Sequence, residues 1–206
     1  MIIHTVAWGF KPEVTPAEAR SINEGIAQGA KAPMTRSFAL GENLDPKSKA
    51  AFPYLYVATF DDHAAAAAFQ TDPTHVTASP RLVAAAAQLL VLDLEAQPNE
   101  APAPGKRSLR HIVAWRFAEG TTPVEESAVI EGLRGTGVVK PTRSMAAGAN
   151  VGSSAYALGF THLYVGTWDD VAGLEEFRED TVHHLPAGTR LRQHVAEPAT
   201  AFDVLG

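Results

Sequence analysis

The chain says nearly the same thing twice. HTVAWGF at His4 to Phe10 returns as HIVAWRF at His111 to Phe117, and LYVATFDD at Leu55 to Asp62 returns as LYVGTWDD at Leu163 to Asp170. The offset is 107 residues between His4 and His111, 108 between Leu55 and Leu163, and 110 between Asp93 and Asp203, a drift that short loop insertions produce. A period this long, present twice, does not suit a solenoid, whose units are shorter and more numerous. It suits two small domains, each of a size that can hold its own core, packed as a pseudo-dimer. The Pro-rich stretch AQPNEAPAPGKRS divides them, so the organisation expected is a first repeat over 1–95, a linker over 96–108 and a second repeat over 109–206.

Each copy carries the same succession of local signals. IIHTVAWGF and LRHIVAWRF have strand composition, and alternation puts His4, Val6, Trp8 and Phe10 on one face, matched by His111, Val113, Trp115 and Phe117. TPAE at Thr15 and TPVE at Thr122 are capping boxes with Pro at the first helical position, and Ile22, Ile26, Val129 and Leu133 give the helices that follow a buried stripe. TRSFALG and TRSMAAG read as second strands, YLYVATF and HLYVGTW as third strands. Asp61-Asp62 and Asp169-Asp170 read as caps of a second helix, and LLVLDLE and ATAFDVL as closing strands. The order β-α-β-β-α-β is that of an α+β ferredoxin-like unit with helices on one face of an antiparallel sheet. The other face is left apolar and bare, so two such units in one chain are expected to pack sheet to sheet as an intramolecular dimeric α/β-barrel.

Composition narrows the function. A formal charge of −6 without a long basic run offers no electrostatic footprint for nucleic acid. No apolar stretch reaches the roughly twenty residues needed to span a bilayer. There is no Cys, hence no disulfide, thiolate nucleophile or Cys-ligated metal. The opening MIIHTVAWGF already reads as the first strand, so no signal peptide is expected and the cytoplasm is the default location. No H-x-x-x-H or H-x-H pairing supports a metal site, and no cofactor is expected.

These motifs together, an opening H-[IT]-V-x-[WF]-x-F strand, a G-x-N after strand two, an aromatic third strand, a D-P-x-H segment and a final strand containing Asp, resemble the stress-responsive dimeric α/β-barrel (Dabb) family. The resemblance covers both halves. Family members of the olivetolic acid cyclase type close polyketide chains by an aldol reaction without a cofactor, and the resemblance implies the same class of activity here. It places the catalytic base at His75 in DPTHV and at His183 in DTVHH, a strand-one His at His4 and His111, a supporting Asp at Asp93 and Asp203, and a strand-three pocket residue at Tyr54 and His162. Phe69 and Phe177 stand where those cyclases carry a Tyr, and Tyr56 and Tyr164 are alternative sources of a hydroxyl.

An imidazole backed by a carboxylate is well suited to removing a proton beside a carbonyl, and the developing enolate needs a donor in a dry site. The second repeat holds the richer polar set, His162, Tyr164, His183, His184, Glu175 and Glu176, and is therefore expected to hold the working pocket. In that reading His183 is the base, Asp203 orients it, and His111 or Tyr164 donates to the enolate oxygen. Trp8, Trp115, Tyr56, Phe177 and His162 line the pocket, and Arg143 in the repeated TRS holds a substrate carboxylate. The expected partner is a carbonyl-rich small molecule, with a homodimer of the fused chain left open. A cofactor-free monooxygenase of the antibiotic-biosynthesis type and a non-catalytic ligand-binding protein are the alternatives.

Overall fold

A computed structural model describes residues 1–103 and 107–206. The first repeat runs β1 (Ile2–Phe10), α1 (Pro16–Gly29), β2 (Ser37–Glu42), β3 (Tyr54–Phe60), α2 (His63–Gln70), α3 (Pro73–Ala85) and β4 (Ala86–Glu95). The second runs β5 (Leu109–Phe117), α4 (Pro123–Gly135), β6 (Ser144–Ala149), β7 (His162–Trp168), α5 (Val171–Arg178), α6 (His184–His194) and β8 (Val195–Leu205). Each forms a four-stranded antiparallel sheet, in the orders β2-β3-β1-β4 and β6-β7-β5-β8, so the fold is two ferredoxin-like units. The linker expected over 96–108 falls partly on 104–106, which lie outside the described residues.

The helix starts follow the local chemistry. The Thr122 hydroxyl accepts from the Glu125 backbone N–H while the Glu125 carboxylate accepts from the Thr122 N–H, a complete capping box. The Thr15 hydroxyl accepts from the Glu18 N–H in the same way. Asp62 and Asp170 cap α2 and α5 through the N–H groups of Ala65 and Gly173, so these carboxylates are occupied structurally. Among the described residues no helix is long and apolar enough to cross a membrane.

Strand alternation divides the core into three. Ile2, Val6 and Trp8 of β1 face α1 and α3, and Leu109 and Trp115 of β5 face α4 to α6. The opposite faces meet each other: Ile3, Ala7, Leu55, Val57, Leu90 and Leu92 pack with Ile112, Ala114, Leu163, Val165, Phe202 and Val204 in one buried cluster. At both seams an Asn completes the join. The Asp203 N–H donates to Asn43 Oδ1 at 3.1 Å and the Leu44 N–H to the Asp203 carbonyl at 2.8 Å; the Asp93 N–H donates to Asn150 Oδ1 and the Val151 N–H to the Asp93 carbonyl, both at 2.9 Å. The G-x-N motif is thus a cross-repeat clasp, which satisfies backbone groups at sheet edges that would otherwise be left open.

The fragment Met1–Ala96 keeps one sheet and loses the partner that covers Ile3, Leu55, Leu90 and Leu92. It is expected to sediment as a dimer or larger species, because an exposed apolar sheet face of this kind associates. A monomeric, soluble fragment would show that the sheet-to-sheet contact is dispensable.

Candidate active site

The carboxylate opposite the strand-one histidine follows from sheet register. His4 of β1 pairs with Asp93 of β4, and His111 of β5 with Asp203 of β8. His4 Nδ1 lies 2.6 Å from Asp93 Oδ1, and His111 Nδ1 lies 2.5 Å from Asp203 Oδ1. A carboxylate accepts only, so each Nδ1 carries the proton and each Nε2 is directed away from the pair. These dyads face their own helices, in the layer between sheet and helices, and not the inter-sheet core.

In the first repeat this layer contains a cavity of about 490 Å³, within the range of small-molecule sites. Its walls include Trp8, Phe69, Leu82, Leu89 and Val91, and its polar groups include His4, Asp93, His75 and Tyr56. A second cleft of about 190 Å³ reaches His4 and Asp93 past Ala66, Ala67 and Gln70. His75, on the first turn of α3, packs against Phe69 with the rings tilted and their centres 4.6 Å apart, and its Nδ1 faces the Gln70 carbonyl at 3.3 Å. That carbonyl fixes the proton on Nδ1 and leaves Nε2 with the lone pair. Burial pushes the His75 imidazole below its ordinary range; the Gln70 bond opposes this and nearby His4 adds to it. Tyr56 is buried, its ring 6.2 Å edge-on from His4, and its hydroxyl sits near Thr35 without reaching hydrogen-bond geometry. Burial raises its pKa strongly, so the phenol stays protonated.

The second repeat differs from what its polar content suggests. His183 does not meet Asp203: its backbone N–H donates to Asp180, its ring is exposed, and its Nδ1 lies 3.6 Å from the same carboxylate. The position equivalent to His75 is taken by His184, whose ring packs tilted against Phe177 at 4.4 Å and has Nδ1 3.2 Å from the Arg178 carbonyl. The shift is one of register. Ala78 and Leu82 lie three and seven residues beyond His75 and are buried; the buried Ala187 and Leu191 lie three and seven beyond His184. The shared Arg-Leu pairs, Arg81-Leu82 and Arg190-Leu191, are the sequence signal that identifies this register.

Larger and charged side chains surround His111 and Asp203. Trp168 replaces Phe60 and lies over Gly166, where a Cβ would come within 2.3 Å of the indole; the first repeat has Ala58 there. Arg178, the counterpart of Gln70, donates to Asp203 Oδ2 at 3.0 Å and to Glu175 at 2.7 Å. The Asp203 side chain is 8% exposed against 24% for Asp93. Burial opposes ionisation of Asp203, yet the His111 bond and Arg178 hold its carboxyl below the usual range. Burial also raises the Tyr164 phenol strongly.

Other candidates lie elsewhere. His162 stacks on Trp115 at 5.7 Å, as Tyr54 does on Trp8 at 5.8 Å, four residues along β7 from the partner of His111. Arg143 pairs with Asp169 on the surface, as Arg36 does with Asp61, and neither lines the first-repeat cavity. What sequence reasoning missed entirely is the contribution of Ser153 and Tyr156, from the loop after β6, to the wall of the first-repeat cavity.

Comparison with known proteins fits this architecture. The family described as Stress responsive A/B Barrel Domain matches residues 2–96 and again residues 109–204. A candidate monooxygenase from Fusobacterium nucleatum superposes with a TM-score of 0.70 at 9% identity, over 99% of this chain and 91% of that one. An anthrone oxidase-like protein gives 0.66 at 12%, over 99% and 90% of the two chains, and a candidate monooxygenase from Lactobacillus acidophilus 0.60 at 12%, over 98% and 92%. At these identities the likeness is one of fold. No curated protein matches the sequence. With the same domain matched over each half, the chain belongs to the stress-responsive A/B barrel family and carries its domain in tandem.

Proposed function

We propose that the first repeat is an acid–base catalyst that removes a proton from carbon beside a carbonyl, without a cofactor. The observation that supports this is the convergence of two imidazoles with fixed tautomers, His75 and the Asp93-backed His4, on one largely apolar cavity. His75 Nε2 takes the proton, since burial keeps that ring neutral near pH 7. His4, bonded to Asp93 through Nδ1, donates from Nε2 when doubly protonated to the oxygen on which the enolate charge develops. On a chain with several carbonyls the enolate carbon attacks a second carbonyl, a carbon–carbon bond forms, and the new alkoxide takes back the proton that His75 removed. That is aldol ring closure, a cyclase or lyase activity on a polyketide-like substrate.

A second reading shares the first step. The likeness to proteins named monooxygenase and anthrone oxidase-like favours a carbanion that meets O₂, so that anthrone and O₂ give anthraquinone and water. Both readings are tested together with phenylacetone in D₂O: the protein is expected to catalyse deuterium exchange at the methylene under nitrogen, seen by NMR. Absence of exchange with phenylacetone and with longer aryl ketones would sink the proton-abstraction reading. Oxygen uptake with anthrone, dependent on the protein, would select the monooxygenase branch.

A further inference from the structure

We propose that the fused chain has a single working site built by both repeats, with Tyr156 of the second repeat selecting a flat, uncharged aromatic substrate for the cavity of the first. This rests on the location of the site argued above, though not on its chemistry.

The second repeat reaches the cavity through the segment between β6 and β7. Asn150 and Val151 clasp both backbone groups of Asp93, and Ala157 is buried in the inter-sheet core, so the segment is tied at both ends. Between these ties Gly152 passes directly over the dyad: a Cβ there would lie 2.3 Å from Asp93 Oδ2. Glycine is needed at this position for that close approach. The segment then places Ser153 and the exposed Tyr156 on the cavity wall.

The converse arrangement is closed off by substitution at matching positions. Ala67 and Gln70 line the cleft to His4 and Asp93, whereas their counterparts Glu175 and Arg178 form an ion pair that also binds Asp203. Trp168, which is larger than its counterpart Phe60, lies over Gly166 on the same side of the sheet. The two repeats are therefore specialised, one as the binding and reacting unit and the other as its wall.

The ligand class follows from the wall. Among the described residues the cavity carries no Lys or Arg, so a carboxylate or phosphate would enter uncompensated. Trp8 and Phe69 inside and Tyr156 at the edge present ring faces and edges, which favour a planar aromatic body over a flexible aliphatic one.

Isothermal titration calorimetry of the full chain with 1,3-dihydroxynaphthalene tests this without reference to turnover. One mole is expected to bind per mole of chain. Tyr156→Ala is expected to weaken binding about 2- to 10-fold, the range of one aromatic contact, and Gly152→Val, which displaces the whole segment, to weaken it further. Trp168→Phe with Arg178→Gln is expected to raise the stoichiometry to two. Two moles bound by the wild type, an unchanged affinity in Tyr156→Ala, or a folded double variant that still binds one mole would each overturn the proposal; no binding at all would overturn the aromatic assignment. Binding as expected with no deuterium exchange would leave this inference standing and remove only the catalytic reading.

Discussion

Replacing His75 with Ala is expected to slow α-proton exchange by about 10²- to 10⁴-fold, the usual cost of losing a positioned general base. The same change at His183 or His184 is expected to leave the rate nearly unaltered. His183 is exposed beside Asp180, and in the repeat of His184 the carboxylate of the dyad, Asp203, is already paired with Arg178. Because Phe69 packs against His75, His75→Gln serves as a control that keeps a polar side chain of similar reach but removes the base. Comparable losses from His75→Ala and His184→Ala in folded protein would reject the assignment of chemistry to the first repeat.

The pH profile adds an independent check on the same residue. A base works only when unprotonated, so the rate should fall as pH drops through the His75 pKa. Burial places that pKa below the ordinary imidazole value of about 6.5. Activity should therefore persist into the range where an exposed His is already half protonated. Stability follows the same sign. His75, His162 and His184 all have lowered values, burial being the main cause, so between the ordinary value and the lowered ones the unfolded chain binds more protons than the folded one. Stability should decline on acidification through that window and be insensitive to these groups above it. A rate that falls off above the ordinary imidazole value would contradict the buried neutral His75.

Much of this was legible from residues alone, because the informative signals were local or doubled. Thr122 with Glu125 starts a helix through contacts within one turn, and the repeated strand motifs fix the element order. The strand-one His and final-strand Asp stand out in both repeats as candidate site residues, although their direct pairing, His4 with Asp93, appears only in the register of β1 against β4. What failed was the inference from polar content to an open site. Glu175, with Arg178, covers Asp203; a carboxylate near a site reads the same in sequence whether it serves the substrate or closes the space. Gly166 with Trp168 was visible as a difference from Ala58 with Phe60, but its effect depends on the indole lying back over the glycine, a tertiary relation. The choice of His183 over His184 came from counting forward from the preceding Asp, whereas the helix is held by Ala187 and Leu191, which count backward to His184. Tyr156 had no signal, since its place on the cavity wall is set by cross-repeat contacts at Asn150 and Ala157.

The largest stability effect is expected at a residue outside the cavity. Arg110 points from β5 into the space between the sheets and is 1% exposed. Its Nη1 donates to the Val57 carbonyl at 2.6 Å and its Nη2 to Ser37 Oγ at 3.2 Å, while Nε has no partner among the described residues. Among the described residues no carboxylate pairs with it: burial pushes its pKa down to about 10, opposed by the influence of Tyr56. The matching residue of the first repeat is Ile3, fully buried in the same core, so this position of the fold accepts an apolar side chain. Arg110→Met, which keeps an unbranched chain of adaptable shape, is expected to stabilise the protein by about 1–4 kcal/mol by analogy with the replacement of buried charged groups by apolar ones. Arg110→Ala should instead destabilise it, since a cavity would replace the lost volume. Urea unfolding of both variants decides the matter, and a Met variant less stable than the wild type would show that the two hydrogen bonds outweigh desolvation of the charge. If the Met variant is more stable, the guanidinium is retained at a cost, and its two bonds suggest why: they join the second repeat to β2 and β3 of the first, a contact that two identical first repeats, each with Ile3, could not make.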